Sequence, residues 1–333
     1  MLQQTQVATV IDYYHRFLNR FPTVESLAMA EESQVLALWS GLGYYRRARQ
    51  LHAAAKVVVE THGGTFPRTL QAALALPGIG RYTAGAIVSF AYGVRAPVLE
   101  ANTIRLFSRL LGLRESVETA SSKTRLWQAA DEILPPRGPT IGTLNQATME
   151  LGSQVCVPKV PNCHRCPVTA HCQAFGLGLQ LEIPLAVPSK TFTHLRHALV
   201  IIVHRQHYLL RKNQPGQWWE GLWDFPRVDV TEEWQRLNAR DRAQAFVSVV
   251  ESSLSRQLGL VCQVAEPCHT LKHGVTRYRI SVECFMAQVV KPNLRLSSPD
   301  WRWMSIDRLS ELPLTSTAEK LRSWIVTNQY PQG

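Results

Sequence analysis

Nowhere does this chain carry an apolar run long enough to cross a bilayer; the stretch Leu199–Val203 has the length of a strand. The opening Met1-Leu2-Gln3-Gln4-Thr5-Gln6 has neither the pattern of a signal peptide nor that of a transit peptide, so a cytoplasmic protein is expected. Cysteine is scarce outside one short stretch. Only Cys262, Cys268 and Cys284 lie elsewhere, without metal spacing, which excludes a disulfide scaffold and leaves them as buried thiols. Internal repeats and low-complexity tracts are also lacking. Acidic residues are the minority charge, 25 against 36 Lys and Arg, a net charge of +11. That balance favours a polyanionic partner. Arg46, Arg47, Arg49, Arg81, Arg105 and Arg109 gather in the N-terminal half, and arginine suits phosphate.

A length of 333 residues suggests two domains, and 45% hydrophobic residues are enough to fill their cores. The first 155 residues read as helices. Ala48, Leu51, Ala55 and Val58/Val59 share one face of a helix over 46–62, which Gly63-Gly64 ends. From 176 to 195 a linker is expected, with Gly176, Gly178, Pro184 and Pro188 and no periodicity. Beyond it the texture becomes β-rich. Strands are expected at 197–203 and 208–212 around the turn Arg205-Gln206-His207, then at 278–290 and 301–304, with a helix over 243–258. The domains are thus 1–175, all-α, and 196–330, α+β.

Four cysteines, Cys156, Cys163, Cys166 and Cys172, follow the spacing C-x6-C-x2-C-x5-C. Thiolates this close need a metal. Spacing alone does not separate a structural zinc from an iron–sulfur cluster, since both take four thiolates. A second signal is Leu76-Pro77-Gly78-Ile79-Gly80-Arg81-Tyr82, a sharp turn between two helices. Gly78 and Gly80 let the backbone approach a ligand, and the following helix start offers N–H groups to an anion such as a DNA phosphate.

The hairpin, Pro97-Val98-Leu99-Glu100-Ala101-Asn102 and the four cysteines together resemble the helix-hairpin-helix DNA glycosylases with an iron–sulfur cluster. Met1–Val7, Gly41-Leu42-Gly43-Tyr44-Tyr45 and Met149–Gly152 resemble the MutY-type adenine DNA glycosylases within them. The resemblance covers nearly the whole chain. It implies a 4Fe–4S cluster on Cys156, Cys163, Cys166 and Cys172, structural in role, in a loop where Lys159, His164 and Arg165 contact phosphate. It implies removal of adenine mispaired with 8-oxoguanine or guanine from double-stranded DNA, by a monomer, after the base leaves the stack. Gln4 and Tyr44 match positions that wedge into the duplex on the oxidised guanine's side, and Thr5 lies beside that guanine. Gly78, Gly80 and Arg81 belong to the phosphate-binding hairpin.

Cleaving an N-glycosidic bond needs a proton for the departing base and a negative charge beside a cationic sugar. In the family a Glu gives the first and an Asp the second, helped by Tyr and Asn. Tyr82 and Asn102 match the helpers. Glu100 stands at the Asp position, one methylene longer, and a displacement of about 1 Å can cost roughly 100-fold in rate. The family's acid Glu falls two residues before Met1. Two expectations follow: a true start upstream, or a relative that binds mismatches and turns over poorly. A glycosylase–lyase of the endonuclease III kind would carry a Lys where this chain has Tyr82, which points to a monofunctional enzyme.

In the second domain, Gln217-Trp218-Trp219-Glu220-Gly221-Leu222-Trp223-Asp224-Phe225-Pro226 resembles the opening of the family's Nudix-like domain. The stretch corresponding to a hydrolytic Nudix helix, residues 251–260, holds one acid, Glu251, so a metal-dependent pyrophosphatase is not expected. The family's lesion-touching Phe-Ser-His turn is matched by Leu271-Lys272-His273, with Lys272 in place of Ser. Trp218, Trp219, Trp223 and Phe225 are expected mainly as core.

Overall fold

The computed structural model describes residues 1–185, 191–236, 242–258, 261–290 and 299–328. Pro188 of the expected linker and Gly259-Leu260 of the expected Nudix helix lie outside the described residues. The helices are α1 (Val7–Arg20), α2 (Val24–Ala28), α3 (Glu32–Trp39), α4 (Arg46–His62), α5 (Leu70–Leu74), α6 (Arg81–Tyr92), α7 (Ala101–Leu110), α8 (Ala120–Glu132), α9 (Thr140–Glu150), α10 (Gln173–Gly176), α11 (Thr231–Arg236), α12 (Arg242–Leu258) and α13 (Ser316–Thr327). The strands are β1 (Thr193–His204), β2 (His207–Lys212), β3 (Trp223–Asp224), β4 (Arg227–Asp229), β5 (Cys262–Val275), β6 (Tyr278–Val289) and β7 (Trp301–Ser305). Two compact units emerge, one of residues 53–189 and one joining 1–52 with 190–333.

The unit of residues 53–189 is helical. Thr69 caps α5 by accepting from the Ala72 amide, and the chain turns through Gly78, at φ +74°, into α6. Ala73, Ala84, Val88 and Ala96 pack beneath this hairpin. Small side chains there let the helices approach closely. Leu99, Phe107, Leu113, Leu126 and Ala130 form a second cluster under α7 and α8. One turn of π-helix, Leu151–Val155, carries α9 into Cys156; such irregular turns are frequent at functional sites.

In the other unit a seven-stranded mixed sheet runs β3-β2-β1-β6-β5, with β4 on β1 and β7 on β2. β1 and β6 are parallel; the other pairs are antiparallel. Alternation along β1 decides the layers. Leu199 and Ile201 face a core completed by Ala318, Leu321 and Ile325 of α13. Ala198, Val200 and Ile202 face Phe246, Val250 and Leu254 of α12. The β1–β2 hairpin turns at Arg205 and Gln206, both at positive φ, as a tight two-residue turn requires.

Two expectations differ from the structure. On α4, Ala48, Ala55 and Val58 are buried as expected, but Leu51 is exposed and His52 is buried in its place. Lys272 and His273 lie inside the long strand β5, which carries no clear alternation in its sequence, and not in a turn.

Candidate active site and nucleic-acid interface

Glu100 is the N-cap of α7. One carboxylate oxygen accepts from the Thr103 amide at 3.1 Å, and Thr103 Oγ1 accepts from the Glu100 amide at 2.7 Å. The other accepts from Asn102 Nδ2 at 3.4 Å. The carboxylate is thus fixed at a helix N-terminus, where negative charge is favoured. Burial, and then the Glu100 charge, raise the Tyr82 phenol above its ordinary value, so it stays a donor at neutral pH. Tyr82 is the second residue of α6, directly after the hairpin, and feels the charge of Glu100, which Asn102 contacts. The side chain of Arg81 stacks over the Trp127 ring at 3.8 Å.

Arg105 ties this corner to the cysteine loop. Its Nη2 donates to Asn102 Oδ1 at 2.9 Å and to the Gly152 carbonyl at 2.6 Å, and its Nε donates to the Cys156 carbonyl at 2.7 Å. The π-turn presses so close that a Cβ at Gly152 would stand 2.9 Å from the Asn102 carbonyl oxygen, which requires glycine. Arg109, fully buried, donates to the carbonyls of Val157, Pro158 and Ile183 and to Cys156 Sγ at 3.2 Å.

All four cysteines of the loop line a single cavity, with Arg109, Leu106 and Phe175 around it. Burial and the neighbouring Cys156, Cys172 and Cys166 push the Cys163 thiol up. A positive centre among the four would relieve that effect on Cys163. Among the described residues no three His, Cys, Asp or Glu side chains converge on one ion position. Lys159, His164 and Arg165 are exposed on the loop.

In the other unit Arg47 assembles the N-terminal segment. Its guanidinium donates to the carbonyl of Met1 at 2.8 Å, to that of Gln3, to Thr5 Oγ1 at 3.1 Å and to the Gly43 carbonyl at 3.4 Å. It therefore brings Gln4, Thr5 and Tyr44 together. Gln4 and Tyr44 take φ of +58° and +51°, and Tyr44 is 58% exposed. Left-handed non-glycine residues cost about 1 kcal/mol or more and concentrate at functional sites.

On the sheet, neighbours alternate faces, so Lys272 and His273 do not act side by side: Lys272 is exposed, and the His273 ring packs 5.8 Å from Trp219. The Arg227 guanidinium lies over Trp219 at 4.7 Å and meets His197 Nδ1 at 3.2 Å. A guanidinium only donates, so that nitrogen accepts and His197 is neutral. Burial, then Arg227, lower both His197 and His273 to about 4. Of the tryptophan cluster, Trp223 and Phe225 are core, whereas Trp218 is 39% exposed. The Glu251 carboxylate accepts from the Val264 amide at 2.8 Å, a structural task in holding α12 to β5.

Residues 1–132 match the HhH-GPD superfamily base excision DNA repair protein family, and residues 197–323 match the NUDIX domain. The adenine DNA glycosylase of Buchnera aphidicola subsp. Schizaphis graminum is 35% identical over 72% of this chain and 69% of its own length. This chain belongs to the adenine DNA glycosylases. The Rattus norvegicus adenine DNA glycosylase is 47% identical over 52% of this chain, which spans 34% of that protein. That of Arabidopsis thaliana is 30% identical over 96% of this chain and 57% of its own. As an adenine DNA glycosylase, the chain is a base-excision repair enzyme acting on an N-glycosyl bond.

For an adenine DNA glycosylase, its arginines are used unexpectedly. Composition assigned Arg47, Arg105 and Arg109 to phosphate, yet the structure aims their guanidiniums at backbone carbonyls. The organising roles of Arg47 and Arg105 were missed because, apart from Gly43 and Asn102, their partners lie 42 to 51 positions away in sequence. Their only local sign is an arginine beside each motif, Gly-Tyr-Tyr and Glu-Ala-Asn.

Proposed function

We propose that this protein hydrolyses the N-glycosidic bond of adenine mispaired with 8-oxoguanine or guanine in double-stranded DNA. The observation that carries this reading is the Glu100–Asn102 pair at the start of α7, with the Tyr82 phenol raised by burial and then by Glu100's charge. A carboxylate fixed in advance needs no reorganisation when positive charge grows on the sugar, and such preorganisation is worth about 100-fold or more. Asn102 holds the carboxylate, and Arg105 holds Asn102. Tyr82 offers a phenol where a lyase needs an amine nucleophile, which supports base release without a Schiff base. Gly78, Gly80 and Arg81 of the hairpin, and Gln4, Thr5 and Tyr44, contact the duplex. His273 of the Nudix-like sheet, with Lys272 on its other face, reads the base opposite adenine.

Cys156, Cys163, Cys166 and Cys172 hold a 4Fe–4S cluster in this reading. Support comes from the shared cavity that all four cysteines line, a four-thiolate donor set of the kind that holds such a cluster. When bound, the cluster supplies a fixed shape to the loop that carries Lys159, His164 and Arg165. We read the chain as a monomer of a helical glycosylase domain (1–175) and a Nudix-like domain (196–330), working on DNA in the cytoplasm. The family matches at 1–132 and 197–323 support the two domains, and the net charge of +11 supports DNA as the partner.

The test is product analysis. A duplex with adenine opposite 8-oxoguanine should yield free adenine and a strand that breaks only on alkali treatment. Covalent trapping by borohydride would instead mark a lyase. Tight binding without release would mark a mismatch-binding relative, the second reading, which Glu100 in place of the family's Asp favours.

A further inference from the structure

The buried carbonyl of Leu314 accepts two hydroxyl donors from the turn that carries Tyr44: Tyr45 Oη at 2.8 Å and Ser40 Oγ at 3.1 Å. Tyr45 Oη also accepts from the Gly41 amide at 3.3 Å, so it braces both ends of the turn. All of these residues belong to the same compact unit. Leu314 is itself anchored, because the Trp223 amide donates to Pro313 at 2.8 Å and the Thr315 amide to Trp223 at 2.9 Å. The contacts then continue without a gap. Thr315 and Thr317 share a hydroxyl hydrogen bond of 3.1 Å, Thr317 accepts from Arg227, Arg227 covers Trp219, and Trp219 packs on His273.

We propose that the double hydrogen bond from Ser40 and Tyr45 to Leu314 is a positioning device that couples the Tyr44 turn to the His273 strand, so that both read the duplex as one body. Tyr45 touches no base in this account; it is a positioning residue. Tyr44 lies next to it in a left-handed conformation that the chain would not hold by itself, which is why an anchor is needed. The inference rests on the reading of Tyr44 and His273 as duplex contacts. Proximity along a chain of residues does not show coupling; a double-mutant cycle does.

The experiment measures affinity, not turnover. Native protein, Tyr45→Phe, His273→Ala and the double variant are titrated with a duplex carrying adenine opposite 8-oxoguanine and with the same duplex carrying adenine opposite thymine. Losing one buried hydrogen bond corresponds to about fivefold in an equilibrium, so Tyr45→Phe should lower the lesion preference by about that factor. The double variant should lose no more than the weaker single variant. Native-like preference in Tyr45→Phe, or losses that multiply in the double variant, would overturn the coupling. Absence of any preference in the native protein would instead sink the functional reading of Tyr44 and His273, a separate failure. Hydrogen exchange needs no DNA: Tyr45→Phe should speed exchange of the Trp223 and Thr315 amides, and unchanged rates would overturn the attachment.

Discussion

The Arg47 guanidinium lies 5.2 Å from the centroid of the Tyr44 ring while it binds the carbonyls of Met1, Gln3 and Gly43. One side chain thus sets the positions of an exposed aromatic ring and of the segment holding Gln4 and Thr5. Its charge alone cannot do this. A lysine would keep the charge and lose the fork. Arg47→Lys should therefore weaken binding of the lesion duplex about fivefold or more, with the slope of affinity against salt unchanged. Titrations at several salt concentrations check this. Native affinity in the lysine variant would reduce Arg47 to a phosphate contact.

Arg105 serves three acceptors, Asn102 Oδ1 and the carbonyls of Gly152 and Cys156. Arg105→Ala leaves all three without it, a loss of about 2–3 kcal/mol. Single-turnover base release should fall more than DNA affinity, because Asn102 is freed to move away from Glu100. Arg105→Lys should not restore the rate, since one ammonium cannot span the three positions. Equal losses in rate and affinity would reduce Arg105 to a structural role.

Metal analysis addresses the cysteine loop. Protein purified without air should contain iron and inorganic sulfide in equal amounts, and Cys163→Ser should lose both. One zinc per chain without sulfide would contradict the cluster.

His197 and His273 give the sheet an acid-sensitive side. Burial and Arg227 hold both to about 4, against an ordinary 6.5. Between these values the unfolded chain binds more protons than the folded one, so stability is full above about pH 6.5 and falls as pH drops towards 4. The melting temperature should decline across that window, and less steeply in His273→Gln. Identical slopes would show that His273 does not titrate in this way.

How far these features could be read in advance depends on whether their causes are local. The α5–α6 hairpin was legible because Pro77-Gly78-Ile79-Gly80 cannot continue a helix, and the β1–β2 turn because apolar runs flank Arg205-Gln206. Strand β5 was not legible. Pro267 and Gly274 interrupt its pattern, its register shifts between Val264 and His269, and its strand form is imposed by pairing with β6. On the inner face of α4, Ala48, Ala55 and Val58 were legible and Leu51 was not, since Leu51 and His52 are separated by only about 100° around the helix and neighbouring packing decides between them. Motifs singled out Glu100, Asn102 and Tyr82 as candidates, but not the Arg105 link, because it joins α7 to a loop 47 to 51 residues away.

The most direct test of the account compares single-turnover adenine release, opposite 8-oxoguanine, by the native protein and by Glu100→Gln. Glutamine keeps the cap's shape and removes the charge. The account predicts release by the native protein, and binding by the variant with release slowed about 100-fold or more. Equal rates would show that Glu100 does not carry the charge that stabilises the sugar; no release by either would show that the native protein binds mismatches without cleaving them.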